Sequence, residues 1–280
     1  ADRITSKGLG ARLDGSEIDI DISTVEQSFG AVTSMRFTGD IASDTLLGRF
    51  DWLPVVWFSG SSAWQIDLDI PHYQSEDDVI VEARSDLVGA TVSISDVLVK
   101  PADDAYPVLI DTTVRGDVLH LGLSLPDDHR VDGTRDGGGD WVVDMQTALA
   151  IGKVKLNDSM SRDSTIELDL ERFWISDMFY KAEPEQEGDG ISPEIIPSID
   201  MIARDVTWKR WSFDEVRMKT ANHAHSMLIS EIDAHGTDLD ISGKGTWLTG
   251  WRHPHETTFT LETTSNDFGN AIAAQGFDRI

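Results

Sequence analysis

The chain has no cysteine at any of its 280 positions, which excludes a disulfide framework and a thiolate metal site alike. No apolar run approaches the roughly 18 residues that cross a bilayer as a helix, and the start Ala1-Asp2-Arg3-Ile4-Thr5 carries no apolar signal-peptide segment. Cations are scarce. Against 50 Asp and Glu there are 23 Lys and Arg, a formal charge of -27, and that balance argues against nucleic acid and against anionic membrane surfaces as partners. The acidic residues are spread over the polar positions of patterned segments rather than gathered in a tail. This reads as a surface adapted to high salt, where screening weakens self-repulsion.

Helical periodicity is also sparse. Asp44 can cap a short helix carrying Leu46, Leu47 and Phe50 that ends before Pro54, and Asp267 can cap a second from Phe268 to Ala274, closed by Gly276. Motifs of catalysis are missing. The chain holds no Gly-x-Ser-x-Gly elbow, no phosphate-cradling glycine loop after a strand and no His-Glu-x-x-His helix. The expectation is therefore no enzyme, no catalytic residue and no cofactor.

What the sequence has in abundance is strict alternation of apolar and polar residues. Glu17 to Ile22 and Gln65 to Ile70 are clear cases, and the pattern returns in Asp78–Arg84, Ala90–Ile94, Val108–Val114, Val118–Leu125 and Trp141–Leu149. It continues in Thr165–Leu170, Ile199–Trp208, Phe213–Met218, Met227–Ile232 and Thr257–Thr263. Glycine-bearing turns such as Arg115-Gly116-Asp117 and Ala234-His235-Gly236-Thr237 separate these runs. The predicted fold is all-β: a long, twisted, antiparallel sheet, meander-like, with a few short helices. The acidic stretch from Ala182 to about residue 192 reads as a mobile loop within one 280-residue segment.

A signature occurs twice. Ser59-Gly60-Ser61-Ser62-Ala63-Trp64 leads into one alternating run, and Ser242-Gly243-Lys244-Gly245-Thr246-Trp247 leads towards another, with a looser echo from Gly137 to Trp141. Nine tryptophans could stack on sugars, but anchoring of sheet packing is the simpler reading for most of them. His223 and His225, two apart, would share one face of a strand, as would His253 and His255 around Pro254. No further ligand is fixed beside either pair, and no metal site is expected. Asp132 to Asp140 reads as a hairpin loop rather than a calcium turn, because the repeated nonapeptide of such turns is missing.

Particular residues carry a family resemblance. The stretch Ala83-Arg84-Ser85-Asp86-Leu87-Val88-Gly89-Ala90, running on to Val99-Lys100-Pro101-Ala102, resembles the AsmA-like proteins of Gram-negative envelopes, in particular the YhdP branch. The Gly243-Lys244-Gly245-Thr246-Trp247 strand, the Thr-Phe-Thr-Leu strand and Asp267-Phe268-Gly269-Asn270-Ala271-Ile272 resemble the C-terminal pattern of the same family, with Ile272 in place of the usual leucine. The C-terminal motif spans about residues 193–280.

The resemblance implies a sheet curled into an open, apolar-lined groove that carries phospholipid between inner and outer membranes and supports outer-membrane integrity. It further implies a periplasmic segment from the C-terminal region of a longer, inner-membrane-anchored chain, with the rest of that chain and envelope proteins at either end as partners. The chain begins and ends inside patterned sequence, which accords with that expectation. The candidate groove residues, which would meet phospholipid acyl chains, are Ile18, Ile20, Ile22, Ile66, Leu68, Ile70, Leu121, Leu123, Leu125, Ile166, Leu168, Leu170, Phe259 and Leu261. Two other readings stay open on the residues alone: a β-sandwich carbohydrate-binding module or glycan-active enzyme, and a structural envelope scaffold.

Overall fold

Alternating segments of this kind form strands because branched and aromatic side chains fit one face of a pleated surface while polar ones take the other. The computed structural model describes residues 3–13, 15–27, 30–43, 58–72, 78–93, 99–157, 164–175, 196–209, 211–223, 225–250 and 253–265. Among them every regular element is a strand. Both predicted helices, at Asp44 and at Asp267, lie outside the described residues, as does the acidic stretch from Ala182 to residue 192. The chain divides into two compact units, Ala1–Gly137 and Gly138–Ile280.

The first unit holds β1 (Arg3–Leu13), β2 (Ser16–Gln27), β3 (Gly30–Ala42), β4 (Phe58–Pro71), β5 (Val79–Ser85), β6 (Ala90–Ser93), β7 (Val99–Lys100), β8 (Val108–Arg115), β9 (Val118–Ser124) and β10 (Arg130–Arg135). Its sheet runs β1-β2-β3-β4-β5-β8-β9-β10, every neighbouring pair antiparallel. The chain leaves it after β5 to form the short β6 and β7, which pair alongside the start of β4. A plain meander would have no such excursion.

The second unit holds β11 (Asp140–Gln146), β12 (Ala150–Asn157), β13 (Thr165–Ile175), β14 (Ser198–Trp208), β15 (Trp211–His223), β16 (Ser226–His235), β17 (Leu239–Gly250) and β18 (His253–Ser265). They pair in sequence order. All pairs are antiparallel but one, since β13 and β14 run parallel. A parallel step needs a crossover of about a dozen residues or more. Residues 176–197 supply it, so the linker-like acidic stretch belongs to a connection that brings the chain back to the same end of the sheet.

Strands β1, β3, β10, β12 and β17 fall outside the alternating runs because glycines and threonines interrupt their apolar positions, and β7 does so because it has only 2 residues. In β3 the inward series reads Thr33, Met35, Phe37, Gly39, Ile41, and in β12 it reads Ala150, Gly152, Val154, Leu156. Tight packing explains two of these glycines. A Cβ on Gly245 would lie 2.6 Å from the Phe259 ring, and one on Gly243 would lie 2.6 Å from a Leu261 methyl. The Gly-x-Gly motif of β17 thus lets two large β18 side chains lie across it.

The buried core of the first unit is small: Ile41, Trp64 and Val108, with Leu13, Leu87, Tyr106 and Leu125 packed around it. That of the second is larger, built on Leu170, Met201, Ala203, Val206 and Phe213. Ion pairs lie on the opposite face. Arg36–Asp67, Lys153–Asp144, Lys155–Glu167 and Lys219–Asp200 each join directly opposed residues of neighbouring strands, and all of them are at least partly exposed. Exposed pairs of this kind contribute about 0 to 1 kcal/mol each and cannot neutralise a charge of -27. We therefore expect the melting temperature to rise as sodium chloride goes from low to molar concentration. A melting temperature falling steadily through the series would show that self-repulsion is not the dominant charge effect.

Candidate functional site: a one-sided apolar face

Register decides which side chains share a face, because directly opposed residues of paired strands point the same way. In the first unit Leu9, Ile20, Phe37, Ile66, Ala83, Ile110, Leu123 and Val131 stand opposite one another in turn across eight strands. A second row, Ile22, Met35, Leu68, Val81, Thr112 and Leu121, runs beside it. One residue along the strands, the other face presents Asp21, Arg36, Asp67, Glu82 and Asp111. The separation of the two faces is nearly complete.

The second unit repeats this arrangement. Val143, Val154, Leu168, Met201, Met218, Ile232, Gly243 and Leu261 form one cross-sheet row, and a parallel one contains Ile166, Ile199, Thr220, Ile229, Gly245 and Phe259. The opposite face carries Asp144, Lys153, Asp169, Arg217, Asp233 and Glu262. At about 4.8 Å per strand, eight strands make an apolar strip roughly 34 Å long in each unit.

The structure brings Ile18, Ile20, Ile22, Ile66, Leu68, Ile70, Leu121 and Leu123 onto one face of the first unit, with Leu125 packed beside its core. It brings Ile166, Leu168, Leu170, Phe259 and Leu261 onto one face of the second. Their burial is uneven. Leu170 is 1% exposed and belongs to a closed core, whereas Leu121, Phe259 and Leu261 are 39%, 46% and 53% exposed, and the other ten are half-buried. Sequence reading missed Phe37, Met35, Val81, Val143, Val154, Met201 and Met218. The interruptions by Gly and Thr hide several of these, and pairing across strands, which no single segment displays, places them all.

A knot of backbone closes one end of the first unit's apolar face. Lys100, 3% exposed, donates from Nζ to the carbonyl oxygens of Leu87 at 2.6 Å, Ala90 at 2.5 Å and Pro101 at 2.9 Å, with that of Ala102 at 3.5 Å. The Gly89 amide donates to the Ala102 carbonyl, the Tyr106 amide donates to that of Asp86, and the Ser85 hydroxyl and Asp86 carboxylate accept from the Leu87 and Val88 amides. Leu87 sits at φ 53 and Gly89 at φ 96, the left-handed region that such a turn requires. The Ser-Asp-Leu-x-Gly and Lys-Pro-Ala segments, separated by residues 90–99, are thus the two halves of one structural latch.

Titratable groups on the polar face are engaged by neighbouring side chains. Partial burial works to raise the Asp67 carboxyl, but hydrogen bonds from Arg36 and Gln65 outweigh it and hold the group below the usual carboxylate range. The bond from Lys153 to Asp144 raises the ammonium in the same cooperative way, and burial raises the Tyr106 phenol. A depression of about 960 Å³, open to solvent, lies in the first unit and is lined by Asp19, Thr38, Gln65 and Arg84 of the polar face together with Trp64, Val108 and Leu125 of the core.

Of the two histidine pairs, His253 and His255 lie together in the extended strand β18 around Pro254, but the other pair does not form the geometry expected of it. His223 ends β15 and His225 lies in the turn before β16, so the two do not share a strand face, because the chain reverses between them. Among the described residues no group of three His, Asp or Glu is placed to hold a metal ion. No family model, curated protein or solved structure matches the chain.

Proposed function

We propose that the chain is a non-enzymatic carrier of phospholipid, whose acyl chains travel along the apolar face while headgroups stay in water. The observation that carries this reading is the half-open state of the apolar rows. In a closed sandwich the inward residues of both sheets interdigitate and vanish from solvent. Here Ile18 to Ile22, Ile66 to Ile70 and Leu121 to Leu125 hold one face in register but retain exposure. Within each unit, strands in more than glancing contact are sheet neighbours, which is the pattern of a single layer.

Burying aliphatic area contributes about 25 cal/mol per Å². Because each step along the rows exchanges one set of apolar contacts for an equal set, a bound chain moves on an almost level surface. The setting that suits such a device is the periplasm, as part of a longer chain anchored in the inner membrane, supporting the outer membrane, as the resemblance to AsmA-like proteins implies. A carbohydrate-binding module or glycan-active enzyme would instead need tryptophans presented to solvent as a platform. Trp64 is 9% exposed on the apolar face, Trp208 and Trp211 are half-buried beside the second core, and Trp174 alone among the described tryptophans is exposed, which makes no platform of several rings.

Extraction of the purified chain followed by lipid mass spectrometry should return phospholipid in stoichiometric amounts. Preparations free of lipid that also fail to take up a fluorescent phospholipid would overturn the proposal.

A further inference from the structure

The polar face of the second unit also carries a few apolar side chains, Val142 and Leu228, each 38% exposed, and Leu248, 41% exposed. The last two lie towards one end of the strands, while at the other end the departure is aromatic. At that end β13 carries Trp174 on the polar face, paired with Thr207 and 44% exposed. On the apolar face at the same level stand Ile175, opposite Trp208, and Trp211, opposite Trp208 across the next pair. Trp208 and Trp211 meet edge to face with ring centroids 5.1 Å apart, and Phe213 continues the stack at 6.3 Å. The Trp174 amide donates to the Leu149 carbonyl at 2.8 Å, which holds the β11–β12 turn at the same height. Between Trp208 and Trp211 the hairpin tip projects Lys209, an exposed residue at φ 55, followed in sequence by Arg210.

Aromatic rings on both faces at one level are not a requirement of packing. Trp174 leaves 44% of its surface in solvent on the polar face, and with 23 Lys and Arg against 50 Asp and Glu a lysine at the tip of the same rim does not follow from composition. Tryptophan does have a preferred medium of this kind, the interfacial zone of a bilayer, where the ring lies among glycerol esters and its N–H reaches a polar acceptor. Lysine complements it by extending its ammonium to lipid phosphates. From this juxtaposition we infer that the aromatic end of the second unit is a seat for the interfacial zone of a zwitterionic phospholipid bilayer. The charge of the remaining surface keeps the strand faces off the membrane, so contact is confined to the strand ends.

Flotation of the whole chain with phosphatidylcholine vesicles in molar salt tests this. The wild type should float. Trp174→Ala and Lys209→Glu should each lower the bound fraction by roughly fivefold or more, with unchanged melting. Ile4→Ser, which removes a 74% exposed apolar residue from the edge strand β1, should float like the wild type. A wild type that stays unbound, a Trp174→Ala chain that floats as well as the wild type, or a loss of equal size in Ile4→Ser overturns the inference, as does release from vesicles by soluble glycan. The outcome is separable from acyl-chain carriage: Leu68→Asp should abolish uptake of a fluorescent phospholipid while leaving flotation intact.

Discussion

Replacing Lys100 by methionine should destabilise the first unit by about 3 kcal/mol or more, the largest single-residue effect expected outside the closed core of the second unit. The side chain has nearly the same length, so the loss is electrostatic and not steric. In the native chain one ammonium group satisfies carbonyls of Leu87, Ala90 and Pro101 together, all within the latch that covers the end of the apolar face. Methionine has no donor. Each carbonyl left buried without a partner costs about 1 to 3 kcal/mol, and water can reach a site only 3% exposed by opening the turn. Hydrogen exchange should report the location: the amides of Gly89 and Tyr106, which depend on this geometry, should lose protection before those of β2 and β3. An unchanged melting temperature together with wild-type protection at Gly89 would show that the latch closes without its cation.

The second large effect separates the open part of the apolar face from its closed part. Leu68 and Leu170 are both inward leucines on strands of eight-stranded sheets, but Leu68 is half-buried while Leu170 is 1% exposed. An aspartate at Leu170 would be an unpaired charge packed among Met201, Ala203, Val206 and Phe213, and should unfold the second unit at a cost of several kcal/mol. An aspartate at Leu68 can keep its hydration in an empty groove, so the fold should survive with a loss of about 1 kcal/mol, whereas fluorescent-phospholipid uptake should be abolished. The pair is read by melting temperature and lipid uptake side by side. Equal unfolding by both substitutions would mean that the first unit's face is shut against a second layer, as in a sandwich, and the carrier proposal would fall.

Much of this fold is legible in the sequence because the period-two code is local. Glu17 to Ile22 or Thr165 to Leu170 states its faces without reference to any other segment. Strands such as β3 and β12 are less legible, since Gly39 and Gly152 stand where the apolar series needs a member. Their glycines answer to a neighbour: a Cβ on Gly39 would strike the Glu17 carbonyl at 2.6 Å. The β13–β14 parallel step is a property of the crossover and not of either strand, so alternation alone suggests a meander there. The candidate site was readable as a set of inward aliphatics but not as rows, because a row is defined by register between segments. The latch shows a different limit. Lys100 is read as one residue of a motif, and only folding reveals that a charged side chain is among the most buried in its unit.

The parallel step also fixes the geography of the strand ends. In an uninterrupted meander, successive strands finish at opposite rims of the sheet, so two consecutive strands never offer their last residues to the same surroundings. Because β13 and β14 run in one direction, Trp174 and Trp208 finish at one rim, and the hairpin that follows adds Trp211 to it. Had the chain turned tightly after β13, Trp208 would stand some 30 Å away at the far rim, at roughly 3.3 Å per residue over the strand. The long crossover, whose sequence looks like mere spacing, is therefore what gives this unit two unlike rims, and with them a direction from one end of its strands to the other.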